Sequence, residues 1–265
     1  MPTMTAYAPG RFCWTDLAAH DVPAAEHFYT QLFGWTARHD RFGPEDDDVY
    51  VMLLKDGQDV AALYRMDPAQ QAQGIPSAWL SYVSVTSAEQ AAARARELGG
   101  TVVADAFDVM DFGRMALLGD PTGGVLAAWQ PGNHIGARVR DEPDTMCWNE
   151  LGTHEPARAG EFYAGLFGWT AQPFDGGGAP YTLFADGDVQ VGGMFTITPE
   201  MGEMPTAWSP YFAVADTDDA VRRAEALGAS VLHPPFDLAV GRWSMLRDPQ
   251  GALFNVIAVP PMPDA

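Results

Sequence analysis

Positive charge is scarce in this chain. Fifteen lysines and arginines stand against 35 aspartates and glutamates, for a net charge of −20. Such a surface repels phosphate backbones and anionic headgroups, so neither nucleic acid nor a membrane surface is expected as a partner. Cysteine is almost absent. Cys13 and Cys147 offer neither a disulfide framework nor a zinc spacing, and both are expected to be free core thiols. No apolar run approaches the ~20 residues that cross a bilayer, and the opening MPTMTAYAPGRF lacks the basic and apolar regions of a secretory leader. A cytoplasmic location is therefore expected.

What the chain does contain, it contains twice. WTDLAAHDVPAAEHFYTQLFGW, from Trp14 to Trp35, returns as WNELGTHEPARAGEFYAGLFGW from Trp148 to Trp169, with 10 of 22 positions identical. WLSYVSV from Trp79 answers WSPYFAV from Trp208, and the GR…DPxG stretch from Gly113 to Gly123 answers Gly241 to Gly251. The 265 residues, 47% hydrophobic, suffice for two globular units. The division expected is 1–130, a polar linker 131–144 crossing the surface, and 145–265.

Within copy one, the alternation Phe12 to Leu17 reads as a strand. Asp21 and Pro23 then open a helix with apolar Ala25, Phe28, Tyr29 and Leu32 at helical spacing, stopped by Gly34. Strands follow at 35–39, 50–54 and 60–64, giving a β-α-β-β-β unit. A second unit reads strand 80–85, helix 88–98, then strands 101–103, 114–118 and 125–129. DPTGG and DPQGA read as tight turns closed by a left-handed glycine, and acidic PEDDD (44–48) as a solvated loop. The 12 methionines read as core filling.

Four such units, with the FYxxLFGW helix ending and the DPxG hairpin, resemble the vicinal oxygen chelate superfamily of glyoxalases, extradiol dioxygenases and bleomycin-resistance proteins. The tandem glyoxalase-like proteins of actinobacteria are the nearest part of it. The resemblance covers about residues 10 to 258 and implies an α+β fold with two half-barrel domains in tandem. In such pairs the halves meet about a two-fold axis, which leaves monomer and homodimer both open.

The resemblance also says where a metal would sit. Its ligand positions fall on Trp14 and Trp148, Leu80 and Ser209, and Ala127 and Asn255, none of which suits a transition metal. No metal and no other cofactor is expected; a divalent metal (Fe, Zn, Ni or Mn) held by other residues is the alternative. By strand alternation and the same resemblance, Phe12, Trp14, Asp16, Leu80, Tyr82, Ala127 and Trp129 line the first cavity. Met146, Trp148, Glu150, Tyr211, Asn255 and Ile257 line the second. Ligand contact is expected from the aromatic members with Asn255 and Ile257, and general acid or base work from Asp16 and Glu150, since a carboxyl beside tryptophan has a raised pKa. Against that stands a structural role for both carboxylates, paired with Arg114 or Arg242 or capping a helix.

His20 and His154 recur at the helix start, where local amides are their expected partners, and His27, His39, His134 and His233 read as solvated. The second cavity, with Glu150 and Asn255, is the more polar and the better place for chemistry. The reading favoured is a metal-free protein that sequesters a flat aromatic or polyketide-like metabolite or assists its modification, in secondary metabolism or detoxification. A metal-dependent lyase, isomerase or dioxygenase, and a non-catalytic regulatory or partner-binding protein, are the alternatives.

Overall fold

The computed structural model describes residues 3–41, 49–174, 180–202 and 204–259; the acidic stretch 44–48 lies outside them. Copy one runs β1 (Phe12–Ala19), α1 (Val22–Phe33), β2 (Thr36–Arg41), β3 (Val49–Lys55) and β4 (Gln58–Arg65). After a short helix α2 (Pro68–Ala72) come β5 (Ala78–Ser84), α3 (Ala88–Glu97), β6 (Thr101–Val109), β7 (Gly113–Gly119) and β8 (Val125–Pro131). Copy two repeats this as β9 (Met146–Thr153), α4 (Pro156–Phe167), β10 (Thr170–Phe174), β11 (Tyr181–Asp186) and β12 (Val189–Thr196). It ends with β13 (Ala207–Ala213), α5 (Thr217–Ala226), β14 (Ser230–Leu238), β15 (Gly241–Arg247) and β16 (Leu253–Ala258).

Each copy forms one eight-stranded sheet, in the order β2-β3-β4-β1-β5-β8-β7-β6 and its counterpart β10-β11-β12-β9-β13-β16-β15-β14. The α+β class and the paired β-α-β-β-β units expected from the repeat are present. No helix among the described residues is long and apolar enough to cross a membrane.

Helices α1, α3, α4 and α5 lie between the two sheets, and each core is shared between copies. Leu17, Phe28, Leu32 and Phe33 of the first unit pack with Phe212, Val221 and Phe254 of the fourth. Val83, Ala92 and Leu118 of the second unit pack with Phe162, Trp169 and Phe184 of the third. The sheets therefore stand back to back, and their concave faces point outward.

At the centre of each core a buried polar chain joins the copies. The Trp79 indole donates to the Tyr29 hydroxyl (2.9 Å), which donates to Asp248 Oδ2 (2.9 Å). Its counterpart runs from Trp208 to Tyr163 (2.7 Å) and on to Asp120 Oδ2 (2.8 Å). Asp120 and Asp248 are the aspartates of the two DPxG turns, and their other oxygens accept turn amides. The turns close as expected, with Gly123 and Gly251 at positive φ.

Replacing one hydroxyl leaves a buried carboxylate oxygen and a buried indole N–H without partners. Tyr29→Phe and Tyr163→Phe are each expected to lower stability by about 1–3 kcal/mol in urea denaturation. A loss under about 0.5 kcal/mol, the range of ordinary surface changes, contradicts this account.

Candidate functional site

The central strands β1 and β9 carry Trp-x-Asp and Trp-x-Glu onto the concave faces. In the second domain Glu150 Oε1 accepts the Tyr211 hydroxyl (2.7 Å). The Tyr181 hydroxyl also bonds to Glu150, and itself accepts the Trp148 indole N–H (3.0 Å). The first domain repeats the arrangement: Asp16 Oδ2 accepts from Tyr50 and Tyr82 (2.8 Å each), and Trp14 donates to Tyr50 (3.1 Å). Burial pushes both carboxyls up to about 7, against the opposing pull of the tyrosine hydrogen bonds.

Tyr50 and Tyr181 were not among the expected site residues. Their signal was in the repeat, since each stands at or next to the start of the third strand of its copy, in DVYVMLL and APYTLFA.

The two faces differ in what fills them. A cavity of about 1070 Å³ opens in the second domain, with Trp148, Glu150, Tyr181, Tyr211, Trp243 and Ile257 in its wall. His233, expected to be solvated, is exposed but stands in that wall against Trp243, ring centroids 4.6 Å apart. Asn255 is fully buried and holds the wall rather than forming it: its Oδ1 accepts the Trp243 indole (2.9 Å) and its Nδ2 donates to Ser209 (3.0 Å). In the first domain Trp14, Leu80, Tyr82, Ala127 and Trp129 come together as expected, but they pack with Ala137 and Tyr7.

Four further expectations need correcting. Phe12 and Met146 do not face the cavities. The pairing register of β1 and β9 shifts between Phe12 and Trp14, and between Met146 and Trp148, so a bulge at Cys13 and Cys147 breaks the alternation. Phe12 instead packs on Trp208 (5.0 Å) and Trp169 (5.7 Å), and Met146 joins the core around Phe212. Cys147 lines the cavity, while Cys13 is buried; both are free, with burial raising their thiol pKa values. The linker does not simply cross the surface, since Gly136 and Ala137 are buried. His134, read as solvated, is half-buried beside Trp14 and lowered to about 4 by desolvation.

The arginines considered as partners are engaged elsewhere. Arg114 pairs with Glu89 and Asp108, and Arg242 with Asp218 and Asp237. His20 and His154 face the carbonyls of Ile75 (2.6 Å) and Met204 (3.2 Å), and exposed His39 pairs with Glu26.

The donor set around Glu150 does not fit a divalent metal. One carboxyl stands among two phenols and an indole, and among the described residues no three His, Cys, Asp or Glu side chains come together. A transition-metal site needs three or four converging donors.

Residues 11–128 match the family described as the glyoxalase/bleomycin resistance protein/dioxygenase superfamily, and residues 145–257 match the glyoxalase-like domain. The chain belongs to this superfamily. CFP32 of Mycobacterium tuberculosis (strain CDC 1551 / Oshkosh), whose name assigns it provisionally to the glyoxylases, is 38% identical, covering 98% of this chain and 99% of its own length. The anthracycline biosynthesis protein DnrV of Streptomyces peucetius is 36% identical over 96% of this chain and 95% of its own. Among solved structures, the Mn(II)-bound glyoxalase of Novosphingobium aromaticivorans superposes with a TM-score of 0.64 at 12% identity, covering 94% of this chain and 82% of that one. A 2,2',3-trihydroxybiphenyl 1,2-dioxygenase of Sphingomonas wittichii RW1 gives 0.64 at 10% identity, covering 95% and 91%.

The raised carboxyls fix a sign for pH dependence. Between their ordinary values, 3.8 and 4.5, and about 7, the native chain holds protons that the unfolded chain has released. Stability from these groups is full below that window and is lost as pH rises through it. Unfolding free energies from urea denaturation at pH 5 and pH 8 are expected to differ less in Asp16→Asn and Glu150→Gln than in wild type, by on the order of 1–3 kcal/mol per site. An unchanged difference in both variants contradicts the assignment.

Proposed function

We propose that the second domain binds a flat, oxygen-bearing aromatic metabolite of polyketide type without a metal. The observation that carries this reading is an aromatic-walled cavity of about 1070 Å³ with a carboxyl held near neutrality, Glu150, in its wall. Trp148, Tyr211 and Trp243 offer ring faces to a fused-ring ligand. Near pH 7 Glu150 exchanges between an acid that donates to a ligand carbonyl and a carboxylate that accepts from a ligand hydroxyl. Tyr211 and Tyr181 hold it in place through either state. That chemistry suits both sequestration and assistance to an enol or phenol proton transfer. The relationship to DnrV, named for anthracycline biosynthesis, supports a fused-ring aromatic ligand.

Titration with an anthracycline aglycone, followed by tryptophan quenching, is expected to give the same affinity with and without EDTA. Glu150→Gln and Tyr211→Phe are each expected to weaken binding about tenfold, the value of one buried hydrogen bond of roughly 1.4 kcal/mol. Binding abolished by EDTA and restored by Mn(II) or Fe(II) overturns the metal-free reading.

A further inference from the structure

The first domain holds the same Trp–Tyr–carboxyl–Tyr arrangement as the second, yet its concave face is occupied by the chain itself. The His134 ring stands edge-on to Trp14, centroids 4.7 Å apart at 85°, and lies 6.1 Å from Trp129. The Trp129 indole donates to the His134 carbonyl (2.9 Å). Ala137 N–H donates to the Cys13 carbonyl (2.8 Å), and the Tyr7 hydroxyl donates to the Ala137 carbonyl (2.8 Å).

The fit reaches the backbone. Gly136 has φ +111°, and a Cβ there would collide with the Cys13 carbonyl, so only glycine lets this segment lie against β1. A surface linker has no need of such closeness. The segment meets these tryptophans as a ligand would, with a planar heteroaromatic ring against Trp14 and a carbonyl accepting from Trp129.

The carboxyl of this face is also incompletely satisfied. Asp16 is 2% exposed, and among the described residues its Oδ1 has no hydrogen-bond partner, whereas Oδ2 accepts two. A ligand hydroxyl would supply the missing donor.

We propose that residues 132–137 are an intramolecular ligand of a second site, so that the resting chain offers one open site and holds another closed. The closed site, built on Trp14, Asp16, Tyr50 and Tyr82, takes the class of ligand proposed above, a planar oxygen-bearing aromatic, and that class rests on the function proposed for the second domain.

The test has two arms. Wild type is expected to bind one equivalent of anthracycline aglycone by calorimetry. Gly136→Ala, which cannot keep the segment against Cys13, is expected to bind two, with His134→Gly in its place should the first variant not fold. Free imidazole gives an arm independent of that ligand: it is expected to raise the melting temperature of His134→Gly by about 2–4 °C and leave wild type unchanged. Two equivalents in wild type, one equivalent in a folded variant, or an equal imidazole response in both chains overturns the proposal. If neither chain binds the aglycone, the function proposed for the second domain fails, and the imidazole arm decides the intramolecular-ligand proposal alone.

Discussion

The architecture turns on two buried hydrogen-bonded chains, Trp79–Tyr29–Asp248 and Trp208–Tyr163–Asp120. Each starts on the first strand of a copy's second unit and ends in the DPxG turn of the other copy. An aspartate that merely shaped its own turn would favour no partner. Because one of its oxygens holds turn amides and the other receives a tyrosine from across the interface, the turn and the pairing of the copies form together. Inside the core such a chain is stabilising only when every member is satisfied, and here the indole, the phenol and the carboxylate oxygen each have a partner. Two identical chains related by the repeat fix one mutual orientation, as a purely apolar interface would not.

That orientation dictates where ligands can go. With helices α1, α3, α4 and α5 enclosed between the sheets, both concave faces point outward, and the large cavity is walled by the second domain and the end of the linker. It also dictates the path of the connection. Leaving β8 on one face, the linker must travel to β9, and it does so in two parts. Its first part lies on the first domain's tryptophans; its second part, Asp141 to Pro143, joins the wall of the second domain's cavity. One segment thus closes one site and borders the other.

The duplicated signature made the fold legible, because the helix ending, the turn and the strand order each recur at matching places. Helix α1 shows Ala25, Phe28, Tyr29 and Leu32 buried as their spacing required. The carboxyls Asp16 and Glu150 were legible as well, as acidic residues on otherwise uncharged central strands. Phe12 and Met146 were not, since alternation assumes a regular strand and a bulge is a feature of pairing between strands that are distant in sequence. The linker failed for a related reason. PGNHIGARVRD is polar in composition, and nothing local reveals that Gly136 is required by contact with Cys13, more than 120 positions away. Tyr29 was read correctly as buried, but its hydroxyl partner lies in the other copy.

The carboxyl arrangement survives in a site that is closed, which indicates what maintains it. Asp16 and Trp14 stand on β1, Tyr50 on β3 and Tyr82 on β5, so their hydrogen bonds tie together strands on both sides of the central one. Those ties act on the concave side of a sheet that must curl, and they act whether or not a ligand is present. The same burial that makes them effective removes water from the carboxyl and raises its pKa toward neutrality. An acid poised near pH 7 in the open cavity therefore follows from the way the half-barrel is braced. What separates the two carboxyls is the face around each: the first domain's face is covered by the linker, while Glu150 stands in the wall of the second domain's open cavity.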